Sequence, residues 1–115
     1  MPVTIVAQVI AKAEHREAVK AELLNMIAPT RQEAGCIEYR LHQDYDNPDL
    51  FLFFETWQDM ESLQSHLQSP HFTRYVAAVS DWIANKTVFR YRYWLALARS
   101  VTGCRNRPLS GVTRR

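Results

Sequence analysis

His66 and His71 lie five residues apart in SHLQSPHFTRY, residues 65–75, on either side of a Ser69-Pro70 step. Imidazoles exchange protons near neutral pH, so the stretch can serve as an acid–base pair, a metal site or a helix junction. A five-residue separation does not place two ligands on one turn of a continuous helix. No cysteine or acidic cluster beside the histidines completes a metal shell, so no metal is expected. His71, at the second position of a new helix, can assist capping. His66, at a helix end, sits where the dipole favours a cation. The functional alternative directs one imidazole into the space between helices and sheet, where it takes a proton from a phenolic substrate. Both readings stay open on spacing alone.

A second set of polar residues falls on segments that read as strands. Glu38, Arg40 and His42 share one parity, and Phe51, Phe53, Glu55 and Trp57 share another. The turn over 44–49 is expected to bring both sets to one face, although a one-residue slip would separate them. Charged residues among such apolar neighbours need partners when buried. An Arg40–Glu55 or Arg40–Glu38 ion pair meets that need; the sharper alternative makes Glu55 or His42 a proton acceptor in an aromatic-walled pocket. Phe53, Phe54, Trp57, Tyr75, Tyr91, Tyr93 and Trp94 are packing residues by default, and a cavity lined by such rings suits a flat aromatic ligand. Cys36 has no activating base nearby in sequence and reads as a packed residue. With no glycine-rich phosphate loop, nothing local supports a bound nucleotide or flavin, and no cofactor is expected.

The elements that must position these groups follow from periodicity. Val3–Ala11 is a strand apolar on both parities apart from Thr4 and Gln8. From Glu14 the period becomes helical, with Ala18, Val19, Leu23, Met26 and Ile27 in one stripe. Pro29 ends or kinks that helix, and Gly35 closes the region. Cys36–Gln43 and Leu50–Trp57 are strands around the polar turn DYDNPD. Asp59 caps a helix carrying Met60, Leu63 and Leu67. Ser69 caps the next, with Pro70 at its first position and Phe72, Tyr75, Val76, Val79 and Ile83 along it. Thr87–Leu97 is the last strand. The order β-α-β-β-α-β is the α+β, ferredoxin-like split βαβ arrangement. Helices on one sheet face leave the other bare, and strands apolar on both parities predict a homodimer that covers it.

A chain of 115 residues, 47% hydrophobic and 23% charged, suits one globular domain. No apolar run approaches a membrane span. The start MPVTIVAQVIAK lacks a charged lead and cleavage site, and two cysteines make no disulfide framework, so a reduced cytoplasm is the expected compartment. Residues 1–98 hold nine Lys/Arg against twelve Asp/Glu, a net charge of −3, whereas residues 99–115 carry five arginines and no acid. An acidic body with a basic tail argues against a nucleic-acid-binding domain. The chain therefore divides into a domain over 1–98 and a flexible basic extension over 99–115.

The segments IAPTRQEAGCIEYRLHQD (27–44), FLFFETW (51–57) and HLQSPHF (66–72) together resemble the antibiotic biosynthesis monooxygenase family, over residues 3–95. The likeness is greatest to the small bacterial quinol monooxygenases, through the P-T…E-G-C, E-x-W and H-L-x-S-P-H elements. The resemblance implies a ferredoxin-like dimer through sheet faces, a dimeric α+β barrel. It also implies oxidation of a quinol, anthrone or related polyphenol by dioxygen without a bound cofactor. On this reading His66 or His71 accepts the proton, Glu55 orients an imidazole, Trp57 walls the substrate, and Phe53, Tyr75, His42 and Arg40 complete the pocket. The tryptophan of the anthrone oxygenases matches Trp57, but their asparagine falls on Phe53 and their tyrosine on Leu63. The Asn-Trp-His set of the haem-degrading relatives falls near Gln8, His66 and Val76, so haem degradation is not implied. Isomerases of a phosphorylated signalling ketose share H-x-x-[ST]-P-H and the glutamate at Glu55. They would use Glu55, His66 or His71 as acid and base, with Arg40 or Arg74 for phosphate. A non-enzymatic ligand-binding dimer is the third possibility.

Overall fold

The computed structural model describes residues 1–94. Strand β1 (Val3–Ala11) leads through a 3-10 turn (Ala13–His15) to helix α1 (Arg16–Arg31). Strands β2 (Cys36–Gln43) and β3 (Leu50–Trp57) form a hairpin, helices α2 (Met60–Leu67) and α3 (Pro70–Val79) follow, and β4 (Ile83–Arg92) closes the sheet. The sheet is four-stranded and antiparallel in the order β2-β3-β1-β4. This is the ferredoxin-like α+β fold.

Local chemistry accounts for most of the breaks. Asp44 Oδ2 accepts the backbone N–H of Asp46 and Asn47, and Asn47 Oδ1 accepts that of Asp49, so side chains build the hairpin turn. Asp59 accepts the Ser62 N–H at the start of α2, and Ser69 accepts the Phe72 N–H at the start of α3. Pro29 lies inside α1, which ends two residues later at Arg31. There the Gln32 N–H bonds to the Pro29 carbonyl and the Glu33 N–H to the Thr30 carbonyl. Ile83 belongs to β4 and not to α3: it pairs with Ala11 across a register shift, while the Lys12 N–H reaches the Trp82 carbonyl. The last strand thus begins earlier than its β-rich core suggests, and ends at Arg92. Residues 95–97 and the basic tail lie outside the described residues.

The hairpin register overturns the expectation that Arg40 and His42 share a face with Glu55. Cys36 pairs with Trp57 but Glu38 with Thr56, so Ile37 is an extra residue in β2. Tyr39 then lies opposite Glu55 and Leu41 opposite Phe53, whereas Arg40 faces Phe54 and His42 faces Leu52. The cause is the core: Tyr39 is 2% exposed and stacks on Phe53 with ring centroids 4.2 Å apart. Burying that phenol ring and placing the charges of Glu38 and Arg40 outside is the cheaper register. Arg40 pairs with Glu38, which also accepts from the Thr56 hydroxyl at 3.0 Å.

The helix-facing side of the sheet carries the core, with Val3, Ile5, Val9, Phe51 and Trp57 buried against Val19, Leu23 and Met26. Among the described residues no helix packs on the opposite side. Val6, Leu52 and Phe54 are only partly covered there, and Phe89 and Tyr91 stack on each other while exposed.

Gly35 holds the hairpin close to α2. Its carbonyl accepts the Gln58 N–H at 2.8 Å, and an added Cβ would lie 2.0 Å from Ser62 Oγ and 2.2 Å from Ser62 Cβ. Gly35→Ala is therefore expected to destabilise the fold by about 1–3 kcal/mol through overpacking. Adding Ser62→Gly should recover part of that loss, because the nearest remaining atom, the Ser62 Cα, is 3.6 Å away. Urea unfolding of the single and double variants checks this; a double variant no more stable than Gly35→Ala would contradict it.

Candidate active site

The break at Ser69-Pro70 brings the two histidines together. On a continuous helix, positions five apart point about 140° away from each other. Here α2 ends at Leu67 and α3 restarts at Pro70, leaving the His66 and His71 ring centroids 6.0 Å apart. Ser69 secures the junction: its hydroxyl donates to the His66 carbonyl at 2.7 Å and accepts the Phe72 N–H at 3.3 Å.

Glu33, from the turn after α1, joins the rings. Its Oε2 lies 2.8 Å from His66 Nδ1 and 2.7 Å from His71 Nε2. An ionised carboxylate only accepts, so both nitrogens carry protons and donate to it. His71 Nε2 also lies 3.2 Å from the Ser69 hydroxyl. With Nδ1 committed to Glu33, Nε2 is the atom His66 keeps for a bound molecule. The His66 ring is 2% exposed and is walled by Trp57, Phe72 and Tyr39 at centroid distances of 4.7, 5.3 and 5.7 Å. Burial draws its pKa below the usual histidine value, against the opposing hydrogen bond and charge of Glu33. A neutral imidazole is the form that accepts a proton.

His66 lines a cavity of about 710 Å³ between helices and sheet, within the range of small-molecule sites. Its walls are mostly apolar, with Ile5, Phe53, Leu63, Phe72 and Tyr75 prominent. Glu55 is the second buried ionisable group of the cavity. Its Oε1 accepts the Trp57 indole N–H at 2.8 Å. Burial pushes the Glu55 carboxyl up to about 7, partly offset by the Trp57 bond and reinforced by the charge of Glu33. Burial likewise raises the Tyr75 phenol to about 12, and raises Tyr39 above the usual tyrosine range with help from Glu55. Neither phenol ionises near neutral pH. The exposed Lys86 and Arg90 of β4 complete the lining on one side.

Among the residues singled out from sequence, Glu55, His66, Phe53 and Tyr75 line this one cavity. Trp57 is wholly buried behind the cavity, is not among its lining residues and donates to Glu55. Glu55 orients no imidazole; Glu33 does. Arg40 and His42 lie on the opposite sheet face, by the register given above. Tyr91, Tyr93 and Trp94 do not line the cavity. Cys36 is a free thiol raised to about 11, chiefly by burial, consistent with packing. Glu33 is the residue that sequence reasoning passed over. Its one signal is its place in the PTRQEAGC stretch, and nothing local reveals that it meets residues 33 and 38 positions away. The expectation that no acidic group completes a shell around the histidines is corrected by the same contact.

A carboxyl raised from its unfolded value binds its proton more tightly in the native state, so its contribution is present at low pH and lost as pH rises through the folded pKa. For Glu55, whose pKa rises from 4.5 to about 7, stability should fall over that interval by about 3 kcal/mol. Glu55→Gln should remove this slope in the difference between the two proteins' stability–pH curves. Parallel curves for wild type and variant would overturn the assignment.

Three comparisons place this geometry among known proteins. The profile of the family described as antibiotic biosynthesis monooxygenase matches residues 2–78. A candidate monooxygenase of Mycobacterium tuberculosis is 38% identical over 80 residues, 70% of this chain and 78% of that protein. A candidate quinol monooxygenase of Escherichia coli is 28% identical over 86 residues, 66% of this chain and 83% of that protein. An uncharacterized Synechocystis protein is 32% identical over 83 residues, 72% of this chain but only 56% of its own length. The chain thus spans just over half of that relative. The crystal structure of a Pseudomonas aeruginosa protein superposes with a TM-score of 0.78 at 37% identity, covering 83% of this chain and 95% of that one.

Proposed function

The chain belongs to the antibiotic biosynthesis monooxygenase family, and on that premise we propose that it oxidises a quinol, anthrone or similar polyphenol with dioxygen, needing no bound cofactor. The observation that carries the reading is the buried, Glu33-bonded imidazole of His66 in an apolar cavity large enough for a fused-ring phenol.

In this mechanism His66 Nε2 takes the phenolic proton, and the Nδ1–H···Glu33 bond steadies the resulting imidazolium. The apolar walls keep the phenolate poorly solvated, so it gives one electron to dioxygen. The two radicals couple through a new C–O bond to a peroxide, whose distal oxygen takes a proton from neutral Glu55. The C–H proton then passes to the Glu55 carboxylate as the O–O bond breaks, the departing hydroxide takes the proton held by His66 and leaves as water, and a carbonyl remains, so that substrate-H2 and O2 become substrate=O and H2O. His66 and Glu55 hold the protons at the two ends of this sequence, and Trp57 keeps Glu55 in place.

A second reading has one specific support. Lys86 and Arg90 give the cavity an exposed cationic side, which an isomerase of a phosphorylated ketose would use. The apolar walls favour the polyphenol, and phosphorylated ketoses are the control substrates. We further infer that the bare sheet face, with Phe54, Phe89 and Tyr91, is covered by a second copy in a homodimer.

Oxygen uptake with a quinol and anthrone panel, after removal of flavin and metals, tests the first reading. His66→Ala is expected to lower kcat/KM by about 10²–10⁴-fold. The pH profile should be bell-shaped. Activity rises as His66 loses its proton below pH 6.5 and falls as Glu55 ionises near 7, and Glu55→Gln lacks the alkaline fall. Uptake that is unchanged in His66→Ala would refute the mechanism. For the dimer, light scattering should show twice the chain mass of 13.4 kDa, and Phe89→Glu should shift it towards monomer. A monomeric wild type would contradict it.

A further inference from the structure

We propose that Glu33, His66 and His71 also form a binding site for a first-row divalent cation. Glu33 Oε2, His66 Nδ1 and His71 Nε2 lie within 4.8 Å of one another. Two imidazoles and one carboxylate are a donor set suited to zinc or iron(II). Around a tetrahedral centre with bonds of about 2.0–2.2 Å, donors stand about 3.3–3.5 Å apart. The present separations of 2.8 and 2.7 Å at Glu33 would widen by about half an ångström once the shared protons are replaced by a metal.

The surroundings favour a cation. Among the described residues Glu33 accepts hydrogen bonds from the two histidines and forms no ion pair with a Lys or Arg, so no fixed cation neutralises its charge. The Glu33 and His71 side chains are 17% and 15% exposed, which opens the site to solvent on the side away from the buried His66. The Ser69 hydroxyl, near His71 Nε2, supplies a further oxygen in reach of the site. Three separate elements present these donors, and each is held by contacts of its own: the turn after α1, the last turn of α2 and the capped start of α3.

Metal binding here reverses the chemistry of His66. A cation on Nδ1 takes that nitrogen's lone pair, so the neutral ring carries its proton on Nε2. The atom left for the cavity changes from acceptor to donor. The site is thus inhibitory toward proton abstraction, a consequence that rests on the mechanism proposed above; the binding itself does not.

The test is calorimetric titration of the chelator-treated full chain with zinc chloride, in a Cys36→Ser, Cys104→Ser background that removes competing thiols. One zinc per chain with micromolar or tighter affinity is expected. Glu33→Gln and His71→Ala should each weaken binding at least tenfold, while His15→Ala with His42→Ala leaves it unchanged. Nitrogen-15 NMR should show the His66 proton moving from Nδ1 to Nε2 as zinc is added. No saturable binding, or binding indifferent to both Glu33→Gln and His71→Ala, overturns the site. Zinc bound with the tautomer change but with undiminished oxygen uptake would establish the site and overturn His66 as proton acceptor.

Discussion

The pairing of β2 with β3 is the constraint on which the rest depends. The extra residue at Ile37 and the antiparallel match of Tyr39 with Glu55 decide which side chains of the hairpin meet the helices. Tyr39, Phe53 and Trp57 then form a continuous aromatic block, with Tyr39–Phe53 stacked and Tyr39–Trp57 edge to face. That block buries Glu55, raises its pKa and supplies the floor on which His66 rests. A slip of β2 by one residue would exchange Tyr39 and Leu41 for Glu38, Arg40 and His42, and the cavity would lose Tyr39 from its apolar wall.

On that floor the helix layer adds one polar connection. A single carboxylate oxygen of Glu33 receives N–H groups from the end of α2 and the beginning of α3. Burying three ionisable groups together is costly unless their hydrogen bonds are met, and here each histidine donates to the shared acceptor. The same connection sets the tautomer of His66. The contact that satisfies these polar atoms also leaves the His66 Nε2 for the cavity. Gly35 belongs to the arrangement as well, since Ser62 occupies the space a Cβ would need there and the turn that carries Glu33 packs against α2.

Local signals made much of the fold legible. Asp59, Ser69 and Pro70 mark two helix starts by their own chemistry, and the DYDNPD turn is built from side chains that bond to their near neighbours. The apolar parities of Val3–Ala11 and Leu50–Trp57 identify strands without reference to partners. The ends of α3 and β4 were less legible, because Ile83 satisfies a helical stripe as well as a strand and only pairing with Ala11 decides between them. In the candidate site the histidines, Glu55, Phe53 and Tyr75 stood out by type. Trp57 stood out too, but its burial behind Glu55 is invisible in a linear pattern.

What the sequence alone determined is the order of elements, the break between His66 and His71, and the aromatic character of β3, since each is set by residues within a few positions of one another. Tertiary structure decided the hairpin register, the exclusion of Arg40 and His42, and the meeting of Glu33 with both histidines. Those outcomes follow from competition for the interior, in which Tyr39 displaces charged neighbours, and from contacts between residues more than thirty positions apart. Spacing along the chain carries no information about such contacts until the sheet and helices have packed.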